Sequence, residues 1–600
     1  MTKRLFFFLF VLLISAQSIA QLVTNSGKEF WFAYPEMYDQ SRAVYWVNIT
    51  GNDSTSGTVS IPGQSWTQNF SIKAGEVARV NLPSSMVTII GSNLNAAKSI
   101  KIVSNDNVVV FAVTYHAFRH EASLILPNRS VGKSYRAISY KSETKGGLQE
   151  SEFVVVAIGD TAVVNITPTA NIAGGRNRNV TYTVTIPPNN VYQAQARSAL
   201  DDLTGTLISS KNGKKFAVYS GNVWSTIVCT PNSDPLMEGM FPTNTWGKDY
   251  FVVPTPNVGR DYVRIVAHKD TTRVYRDGVL RRTLSAGQFY DETITQIRNY
   301  TSNKPVAAAH FLVTGQGSCT SYNNTDPSMI MLNATEQMFL DSISFFAVDT
   351  SALDSHFVHV LTRTADTGAM FLDSLKMTKW RVFTQNSKYA YKTERIKPGA
   401  HRLETTGCGF IAYSMGYGRA VSYGYATGAS LVDLANSITY TNFFTGNDTI
   451  CQGDTVKFKS LIRGKPTSFK WFFGDGDTSI KQNPIHQYTK TGIYQIKAII
   501  VYPCITDTLI DTLVVPPPPI IDLGPDTSLC NGDTLNFKVN TNVFYALWSN
   551  GSRDSFLVIN NPGKYWAKVF NYCGEGYDTV KIDSLFPDTV NLGPDHVLCE

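Results

Sequence analysis

The stretch Asp261–Asp270, DYVRIVAHKD, has the form of a β-strand that ends in a polar turn, and it occurs in related form four times in the chain. Its counterparts are VYWVNITG (Val44–Gly51), EFVVVAIGD (Glu152–Asp160) and HFVHVLTRT (His356–Thr364). A strand-like segment precedes each copy and begins at Lys28, Lys133, Lys248 or Asp341, at intervals of 105, 115 and 93 residues. A Gly- or Pro-containing turn and a late apolar strand follow each copy. The sequence therefore predicts four tandem β units, near residues 28–132, 133–247, 248–340 and 341–430.

Two arrangements of these units are compatible with the sequence. We expect about five or six strands in each unit, joined by the segments EASLILP, SDPLMEGMFP and TDPSMIMLN, which we interpret as connections between units. Four units could close into a propeller-like ring, which removes exposed sheet edges, or they could form a line of sandwiches. The ring is favoured because the first and last units are complete and neither has an atypical cap.

A shorter repeat occupies the last third of the chain. DLGPDTSLCNGDTL (Asp522–Leu535) and NLGPDHVLCE (Asn591–Glu600) align without gaps at an offset of 69 residues, and GNDTICQGDTV (Gly446–Val456) is a third relative. Alternating segments such as YALWSNG and GKYWAKVF predict short strands of an immunoglobulin-like sandwich, with Trp471 and Trp548 in the cores. We expect modules at residues 441–516 and 520–585 and the start of a further, truncated repeat at 588–600. The predicted fold class is all-β.

The N-terminus has the form of a secretory signal peptide. Residues 1–20, MTKRLFFFLFVLLISAQSIA, combine a basic start, an apolar run and a small-residue site for cleavage between Ala20 and Gln21. No other stretch reaches 18 apolar residues, so no transmembrane segment is expected in the mature part. The net charge of +6 is spread thinly over 600 residues, which argues against a nucleic-acid partner. We therefore expect a secreted or cell-surface protein.

Export makes disulfides the first interpretation of the eight cysteines. Within the two C-terminal modules we predict the pairs Cys451–Cys504 and Cys530–Cys573, which are 53 and 43 residues apart. Three further predictions concern the other four cysteines. Cys229 and Cys319 either bridge neighbouring units or are two free thiols, Cys408 is a buried lone thiol, and Cys599 pairs with a cysteine beyond position 600. There is no C-x-x-C motif, and zinc is not expected.

The motifs that resemble catalytic or metal-binding signatures do not fit the strand-rich setting. TYHAFRHEA brings His116, His120 and Glu121 close in sequence, but a zinc protease needs H-E-x-x-H on a helix. His356 and His359 fall on opposite faces of a predicted strand. The segment AYSMG around Ser414 lacks the strand-to-helix turn of a nucleophile elbow. We predict no catalytic residue, no cofactor site and no metal site.

The first C-terminal module resembles a PKD domain. The resemblance rests on WFFGDGDTS (Trp471–Ser479), NPIHQY (Asn483–Tyr488) and TGIYQIKAII (Thr491–Ile500), and it covers about 75 residues. Gly474 and Gly476 suit a tight hairpin that needs positive φ. The carboxylates between and after them, Asp475 and Asp477, could contact a cation, although capping of the turn is the favoured interpretation.

Residues 25–435 resemble the N-terminal domain of IgGFc-binding proteins. The resemblance rests on four segments: SDPLMEGMFPTNTWGKDYFVVPT, DYVRIVAHKDTTRVYRDG, NKPVAAAHFLVTG and TDPSMIMLNATEQM. The family is named for antibody binding by a mucin-like animal member, and this activity does not follow for its bacterial relatives. The order of this domain, a PKD domain and LGPD modules resembles that of long surface proteins of the Bacteroidota. This resemblance implies a place on the bacterial outer surface and a C-terminal sorting domain for type IX secretion.

These observations predict a non-enzymatic adhesion or binding protein, secreted or at the cell surface. A β-rich head would bind an extracellular protein or glycan, and the modules behind it would form a stalk. One alternative is a secreted hydrolase with PKD accessory modules. Another is a structural component of a gliding or type IX secretion system.

Overall fold

The computed structural model describes residues 24–585 except 117–118, 143–148, 229–232, 315–324, 419, 429, 435–437, 444–445, 447–448, 461–465, 503–505 and 540–542. The predicted signal peptide and the predicted truncated repeat lie outside the described residues. The chain divides into two compact units, one within Gln21–Ala435 and one within Asn436–Glu600. We call them the N-terminal domain and the C-terminal domain.

β-strands make up nearly all the regular structure of the N-terminal domain, as its content of Val, Ile, Thr and aromatic residues favours. The first group is β1 (Gly27–Phe32), β2 (Val44–Thr50), β3 (Thr55–Ile61), β4 (Trp66–Ile72), β5 (Val77–Leu82), β6 (Leu94–Ala96), β7 (Ile100–His116) and β8 (Arg119–Ile125). The second is β9 (Ser134–Arg136), β10 (Ser151–Ala157), β11 (Ala162–Thr167), β12 (Tyr182–Ile186), β13 (Val191–Gln195), β14 (Leu207–Ser210), β15 (Phe216–Ser225) and β16 (Asp234–Gly239).

Two further groups follow along the chain. The third is β17 (Asp249–Val252), β18 (Asp261–Ala267), β19 (Thr272–Arg276), β20 (Val279–Leu284), β21 (Phe289–Ile294), β22 (Arg298–Ser302), β23 (Val306–Leu312) and β24 (Ser328–Leu332). The fourth is β25 (Ser342–Ala347), β26 (Leu353–Arg363), β27 (Met370–Leu372), β28 (Leu375–Lys376), β29 (Arg381–Val382), β30 (Tyr389–Arg395), β31 (Gly399–Thr405), β32 (Phe410–Gly418) and β33 (Val421–Gly428). Among the described residues of this domain, helical structure is limited to short pieces: α1 (Ser84–Val87) and 3-10 turns at Gln40–Arg42, Pro62–Gln64, Thr243–Thr245, Thr335–Gln337 and Thr364–Ala369.

The four groups share one topology, and we call them repeats. In the third repeat, one antiparallel sheet has the order β21-β18-β23-β24 and the other has the order β20-β19-β22-β17. The second and fourth repeats have the same two orders, apart from the additional strands β6 and β29 at their edges. In the first repeat, the 17-residue strand β7 serves both sheets, because it pairs with β1 and β3 and also with β2 and β8. The predicted all-β fold with four tandem units is therefore confirmed.

The last strand of each repeat lies at the centre of the domain. β8 packs against β16 and β33, and β24 packs against the same two strands, so the four last strands form a closed cycle. A bridge between Thr24 and Ser430 joins the two ends of the domain. The domain is thus a propeller-like ring with one continuous hydrophobic core.

Two expectations about the repeats were wrong. The segments EASLILP, SDPLMEGMFP and TDPSMIMLN are mainly strands rather than connections, because they contain β8, β16 and β24. The number of strands per repeat is accordingly higher than five or six. These strands are buried on both faces at the ring centre, so they lack the polar–apolar alternation that marks a strand with one solvated face.

The C-terminal domain contains two sandwich modules with separate cores. The first comprises β34 (Ile438–Asn442), β35 (Thr455–Ser460), β36 (Ser468–Phe472), β37 (Thr478–Ser479), β38 (Ile485–Gln487), β39 (Gly492–Val501) and β40 (Thr506–Val515). The second comprises β41 (Thr527–Cys530), β42 (Leu535–Lys538), β43 (Tyr545–Trp548), β44 (Phe556–Ile559), β45 (Gly563–Asn571) and β46 (Gly574–Leu585). Trp471 and Trp548 are buried in the two cores, as predicted.

The predicted disulfide pairs of these modules were wrong. Cys451 of the first module is bonded to Cys573 of the second, with 5.3 Å between their Cα atoms and 122 residues between them in sequence. Cys530 is a free, exposed cysteine. It cannot reach Cys573, because it pairs with Leu585 at the far end of β46, whereas Cys573 precedes the first residue of that strand. At about 3.3 Å per residue, the two cysteines are roughly 40 Å apart.

The other cysteine predictions have separate outcomes. Cys408 is disulfide-bonded, so the prediction of a lone thiol was wrong. The predictions for Cys229, Cys319, Cys504 and Cys599 concern positions outside the described residues.

Candidate functional site

A groove lies where the first and fourth repeats meet, and we call it the seam groove. Its volume is about 480 Å³. The first repeat contributes β2, β5 and the turn before β5, and the fourth contributes the end of β25, the segment after it and the start of β31. The lining residues are Trp46, Asn48, Gly75, Glu76, Val77, Arg79, Phe346, Asp349, Gly399 and Ala400.

Trp46 and Arg79 form a stacked pair in this groove. The Trp46 ring is only 2% exposed, and the Arg79 Cζ atom lies 3.9 Å from its centroid. The Arg79 Nε atom donates a hydrogen bond to Asn81 Oδ1 at 3.1 Å, which fixes the plane of the guanidinium. Burial lowers the pKa of Arg79, and the nearby Asp349 carboxylate acts in the opposite direction. The pair presents a positioned cationic fork on an aromatic support.

Asn48 adds a buried polar group to the same groove. It lies on β2 two residues after Trp46, so the two side chains project from the same face of the strand. Asn48 is 2% exposed, and within the described part of the chain its Nδ2 atom has no hydrogen-bond partner. An unpaired buried amide is costly unless something accepts its hydrogen bond. A carbonyl, carboxylate or hydroxyl oxygen of a ligand could act as that acceptor.

Two exposed carboxylates complete the seam groove. Glu76 belongs to the first repeat and Asp349 to the fourth. The groove therefore combines a guanidinium that is supported by a buried tryptophan, an amide group and anionic acceptors. This composition suits recognition of a polar surface with mixed charge.

A second cavity of about 270 Å³ lies along the same seam. Asn52 of the first repeat and Ser344 of the fourth line it, and Ser344 Oγ donates a hydrogen bond to Asn52 Oδ1 at 2.8 Å. The contact joins residues that are 292 positions apart in sequence. It shows directly that the first and last repeats meet.

The ring centre contains a set of buried carboxyl groups. Burial raises the pKa of Glu121 well above its ordinary value, and Glu238 adds to this effect. Burial likewise raises the pKa of Asp234 and of Glu238. Ser328 Oγ donates to Glu121 Oε1 at 3.1 Å, and Ser123 Oγ donates to Glu238 Oε2 at 2.8 Å. Burial favours the neutral form of these carboxyl groups, and their hydrogen bonds join β8 to β24 and β8 to β16.

The histidines of the motifs that resemble catalytic or metal-binding signatures make different contacts. His120 is fully buried against Trp46, and burial lowers its pKa to about 3. His116 contacts Arg119 through Nδ1 at 2.8 Å. His356 contacts the Tyr423 hydroxyl at 3.1 Å, whereas His359 contacts Thr393 Oγ1 at 2.8 Å.

Ser414, in the segment AYSMG that resembles a nucleophile elbow, lies within β32 and not at a strand-to-helix turn. The described residues of these motifs do not form a recognisable nucleophile–base or zinc-ligand arrangement.

In the first C-terminal module, the hairpin at Gly474–Gly476 has the predicted positive φ angles, 88° at Gly474 and 106° at Gly476. His486 Nε2 lies 2.6 Å from Asp475 Oδ2, and His486 Nδ1 lies 3.9 Å from Asp477 Oδ2. Burial acts to raise the pKa of Asp475, but the hydrogen bonds from His486 and from the Asp477 backbone N–H outweigh it, so the pKa is lowered. These three side chains have the spacing of potential metal ligands. The direct contact between His486 and Asp475 accounts for their geometry without an ion.

Sequence reasoning missed the seam groove. Arg79 and Asp349 are distant in sequence and belong to no motif, so only ring closure brings them together. One signal was available: Asn48 interrupts the otherwise apolar strand VYWVNITG. A polar residue in a buried strand requires a partner, and such a position is a candidate for binding.

Comparisons with known proteins identify two domains. Residues 121–416 match the family model described as IgGFc binding protein, and residues 440–501 match that of the PKD domain. No curated protein matches the chain. Among the described residues, we find no helix with the length and hydrophobicity of a membrane span.

Solved structures of immunoglobulin-domain arrays are similar to parts of the chain. An I-band fragment of titin is 12% identical, with 41% of this chain and 94% of that chain covered and a TM-score of 0.20. The N-terminal four Ig domains of Dscam1 isoform 9.44 are 10% identical, with 57% and 100% covered and a TM-score of 0.17. The ectodomain of mouse nectin-like molecule 4 is 10% identical, with 42% and 97% covered and a TM-score of 0.20. Scores this low carry no weight for the fold or function. The two family matches show that the chain carries an IgGFc binding protein domain followed by a PKD domain.

Proposed function

We propose that this chain is an extracellular binding protein whose N-terminal domain holds a protein ligand at the seam groove. The two family matches fit a binding or adhesion protein outside the cell. The disulfide between Cys451 and Cys573 supports the location, because such bonds persist mainly in oxidising compartments.

The composition of the seam groove carries the proposal. Arginine and tryptophan are enriched among the residues that dominate binding energy at protein interfaces. Arg79 stacked on Trp46 is held in place before a ligand arrives, which reduces the entropy lost on binding. Asn48 offers a buried donor that lacks a partner within the described residues, and Glu76 and Asp349 can pair with basic groups of the ligand.

The C-terminal modules have a different role in this proposal. The linker VVPPPPIID (Val514–Asp522) is rich in proline, which favours an extended and stiff chain. The disulfide between Cys451 and Cys573 joins the two modules across this linker. We propose that they act as a stiff spacer.

Reversing the charge of Arg79 tests the proposed site. The first probe is the Fc fragment of immunoglobulin G, which the family name suggests, followed by a panel of purified extracellular proteins and a glycan array. We expect Arg79→Glu to weaken binding of the protein that the wild type binds by at least tenfold, which corresponds to about 1.4 kcal/mol or more. The dissociation constants are measured by surface plasmon resonance.

Arg178→Glu is the matched control, because Arg178 is exposed on the second repeat, away from the seam groove. It makes the same change in net charge and should leave binding unchanged. Equal binding by the two variants, or ligands that are exclusively glycans, would contradict the proposed protein-binding groove. Circular dichroism and thermal unfolding establish that both variants are folded.

A further inference from the structure

The second C-terminal module presents four aromatic side chains on the outer side of one sheet, and we call this surface the aromatic face. The sheet contains β43, β45 and β46, and its inner side is buried in the module core through Ala546, Ala567 and Val569. Because side chains alternate along a strand, the residues between these positions project outward. The aromatic members of the face are Tyr545 on β43, Trp566 and Phe570 on β45, and Tyr577 on β46.

The strand register brings the four rings together in two pairs. Tyr545 lies opposite Phe570, and their rings are stacked with 4.6 Å between centroids. The centroids of the Trp566 and Tyr577 rings are 6.2 Å apart. Tyr545 and Tyr577 are 47% and 60% exposed. Since Trp566 and Phe570 are four residues apart on one strand, the two ring pairs stand roughly 13 Å apart along the sheet.

A comparison with the first module shows that the fold does not require this aromatic surface. Tyr494 in the first module and Tyr565 in the second each donate from the hydroxyl group to the backbone carbonyl of the fourth residue before them, at 2.8 Å. The residue that follows this tyrosine is Gln495 in the first module and Trp566 in the second. The sandwich therefore forms with a polar residue at this position. Neighbouring exposed aromatic residues that the fold does not need are typical of a binding surface.

The charged groups at the centre of the aromatic face neutralise each other. Lys568 lies on β45 between the two ring pairs, and its Nζ atom is 2.7 Å from Glu575 Oε2 on β46. Arg553 stands at the edge of the face, with its Cζ atom 5.8 Å from the Tyr545 centroid. A surface whose central charges are paired complements an uncharged partner better than a strongly charged one. The same groups still offer hydrogen-bond donors and acceptors beside the rings.

We propose that the aromatic face of the second module binds a neutral polysaccharide. One side of a sugar ring presents C–H groups, which pack onto the electron-rich face of an aromatic ring and bury apolar surface. The sugar hydroxyl groups, which project around the ring, form hydrogen bonds with Lys568, Glu575 and the tyrosine hydroxyls. The distance between the two ring pairs suits an extended chain of sugars rather than a single sugar. This site is separate from the seam groove and does not depend on the function proposed for it.

Affinity electrophoresis of the full chain tests this proposal. Each native gel contains one neutral polysaccharide, either hydroxyethyl cellulose, xylan, galactomannan or laminarin, and a further gel contains the anionic polysaccharide alginate. We expect at least one neutral polysaccharide to retard the wild-type chain. Trp566→Gln should raise the corresponding dissociation constant by about tenfold or more. Because the first module carries Gln495 at this position, the variant is expected to fold, which circular dichroism verifies.

Phe556→Gln is the matched control. Phe556 is 51% exposed on β44, which belongs to the other sheet of the same module. This variant should be retarded like the wild type. Arg79→Glu should also retain its retardation, which separates the aromatic face from the seam groove.

Several results would overturn the proposal. They are retardation by none of the neutral polysaccharides, retardation by alginate alone, and equal retardation of Trp566→Gln and the wild type. Loss of retardation in Arg79→Glu but not in Trp566→Gln would assign the polysaccharide to the seam groove instead. Sedimentation velocity covers the remaining alternative: a dimer that Trp566→Gln abolishes, without polysaccharide binding, would identify the face as a contact between two copies of the chain.

Discussion

Replacing Arg264 with alanine is expected to lower the free energy of unfolding of the N-terminal domain by about 3–5 kcal/mol. Arg264 lies on β18 in the third repeat, and its side chain is 2% exposed. Its guanidinium is 2.7 Å from Asp202 Oδ2 of the second repeat and 2.9 Å from Asp291 Oδ2 of the third. Removing the cation would leave two carboxylates close together at a junction between repeats, without the charge that neutralises them.

Further contacts of Arg264 explain why the expected loss is large. The guanidinium also donates to the Ser139 carbonyl at 2.6 Å and to Thr204 Oγ1 at 2.9 Å, both in the second repeat. It stacks on Phe289, with its Cζ atom 4.0 Å from the ring centroid. Burial acts to lower the pKa of Arg264, but Asp202 and Asp291 outweigh burial and the pKa is raised. Alanine would therefore remove a guanidinium that joins the second and third repeats through ion pairs and hydrogen bonds.

The measurement is urea-induced unfolding of the full chain, followed by circular dichroism at neutral pH. Arg273→Ala is the matched control, because Arg273 is exposed on β19 of the same repeat, and it should change stability by no more than about 0.5 kcal/mol. Similar unfolding midpoints for the two variants would contradict the role assigned to Arg264.

Replacing Cys451 with serine is expected to have the second large effect. On the chain-entropy model, a bond that closes a loop of more than 100 residues stabilises the folded state by about 4–5 kcal/mol. The loop between Cys451 and Cys573 contains most of both modules. We therefore expect the variant to lower the stability of the C-terminal domain. We expect its calorimetric transition to move to lower temperature, while that of the N-terminal domain stays unchanged.

The Cys530→Ser variant is the internal control for this experiment. It also exchanges a cysteine for a serine in an equivalent turn, but Cys530 is free and exposed in this chain. Its calorimetric trace should match that of the wild type. If Cys451→Ser leaves the transition of the C-terminal domain in place, the bond does not have the stabilising role described here.

The sequence predicted the fold class and the repeats because the information is local. Segments such as DYVRIVAHKD combine residues that favour a strand with a turn within ten residues. Because such segments recur four times, they indicate a tandem repeat. The PKD hairpin was predictable for the same reason, since Gly474 and Gly476 occupy positive φ positions that few other residues adopt.

The features that the sequence did not predict depend on contacts between distant segments. The central strands β8, β16 and β24 are buried on both faces, which removes the alternation that would identify them. The disulfide partners of Cys451 and Cys530 depend on how consecutive modules pack, and spacing within one module misled the assignment. The seam groove exists only because the first and fourth repeats meet.

Ring closure is the central claim, because it creates the seam groove on which the proposed function rests. A cross-linking measurement tests it most directly, with Asn52→Cys and Ser344→Cys introduced together in a Cys530→Ser background. These positions belong to the first and fourth repeats and are 292 residues apart in sequence, yet their side chains are in contact. Mild oxidation should join these two thiols in an intramolecular disulfide between positions 52 and 344, identified by mass spectrometry of the non-reduced peptides. A control pair, Asn52→Cys with Asn303→Cys in the third repeat across the ring, should yield none. If the folded chain shows no 52–344 cross-link, the ring is not closed and the seam groove does not exist.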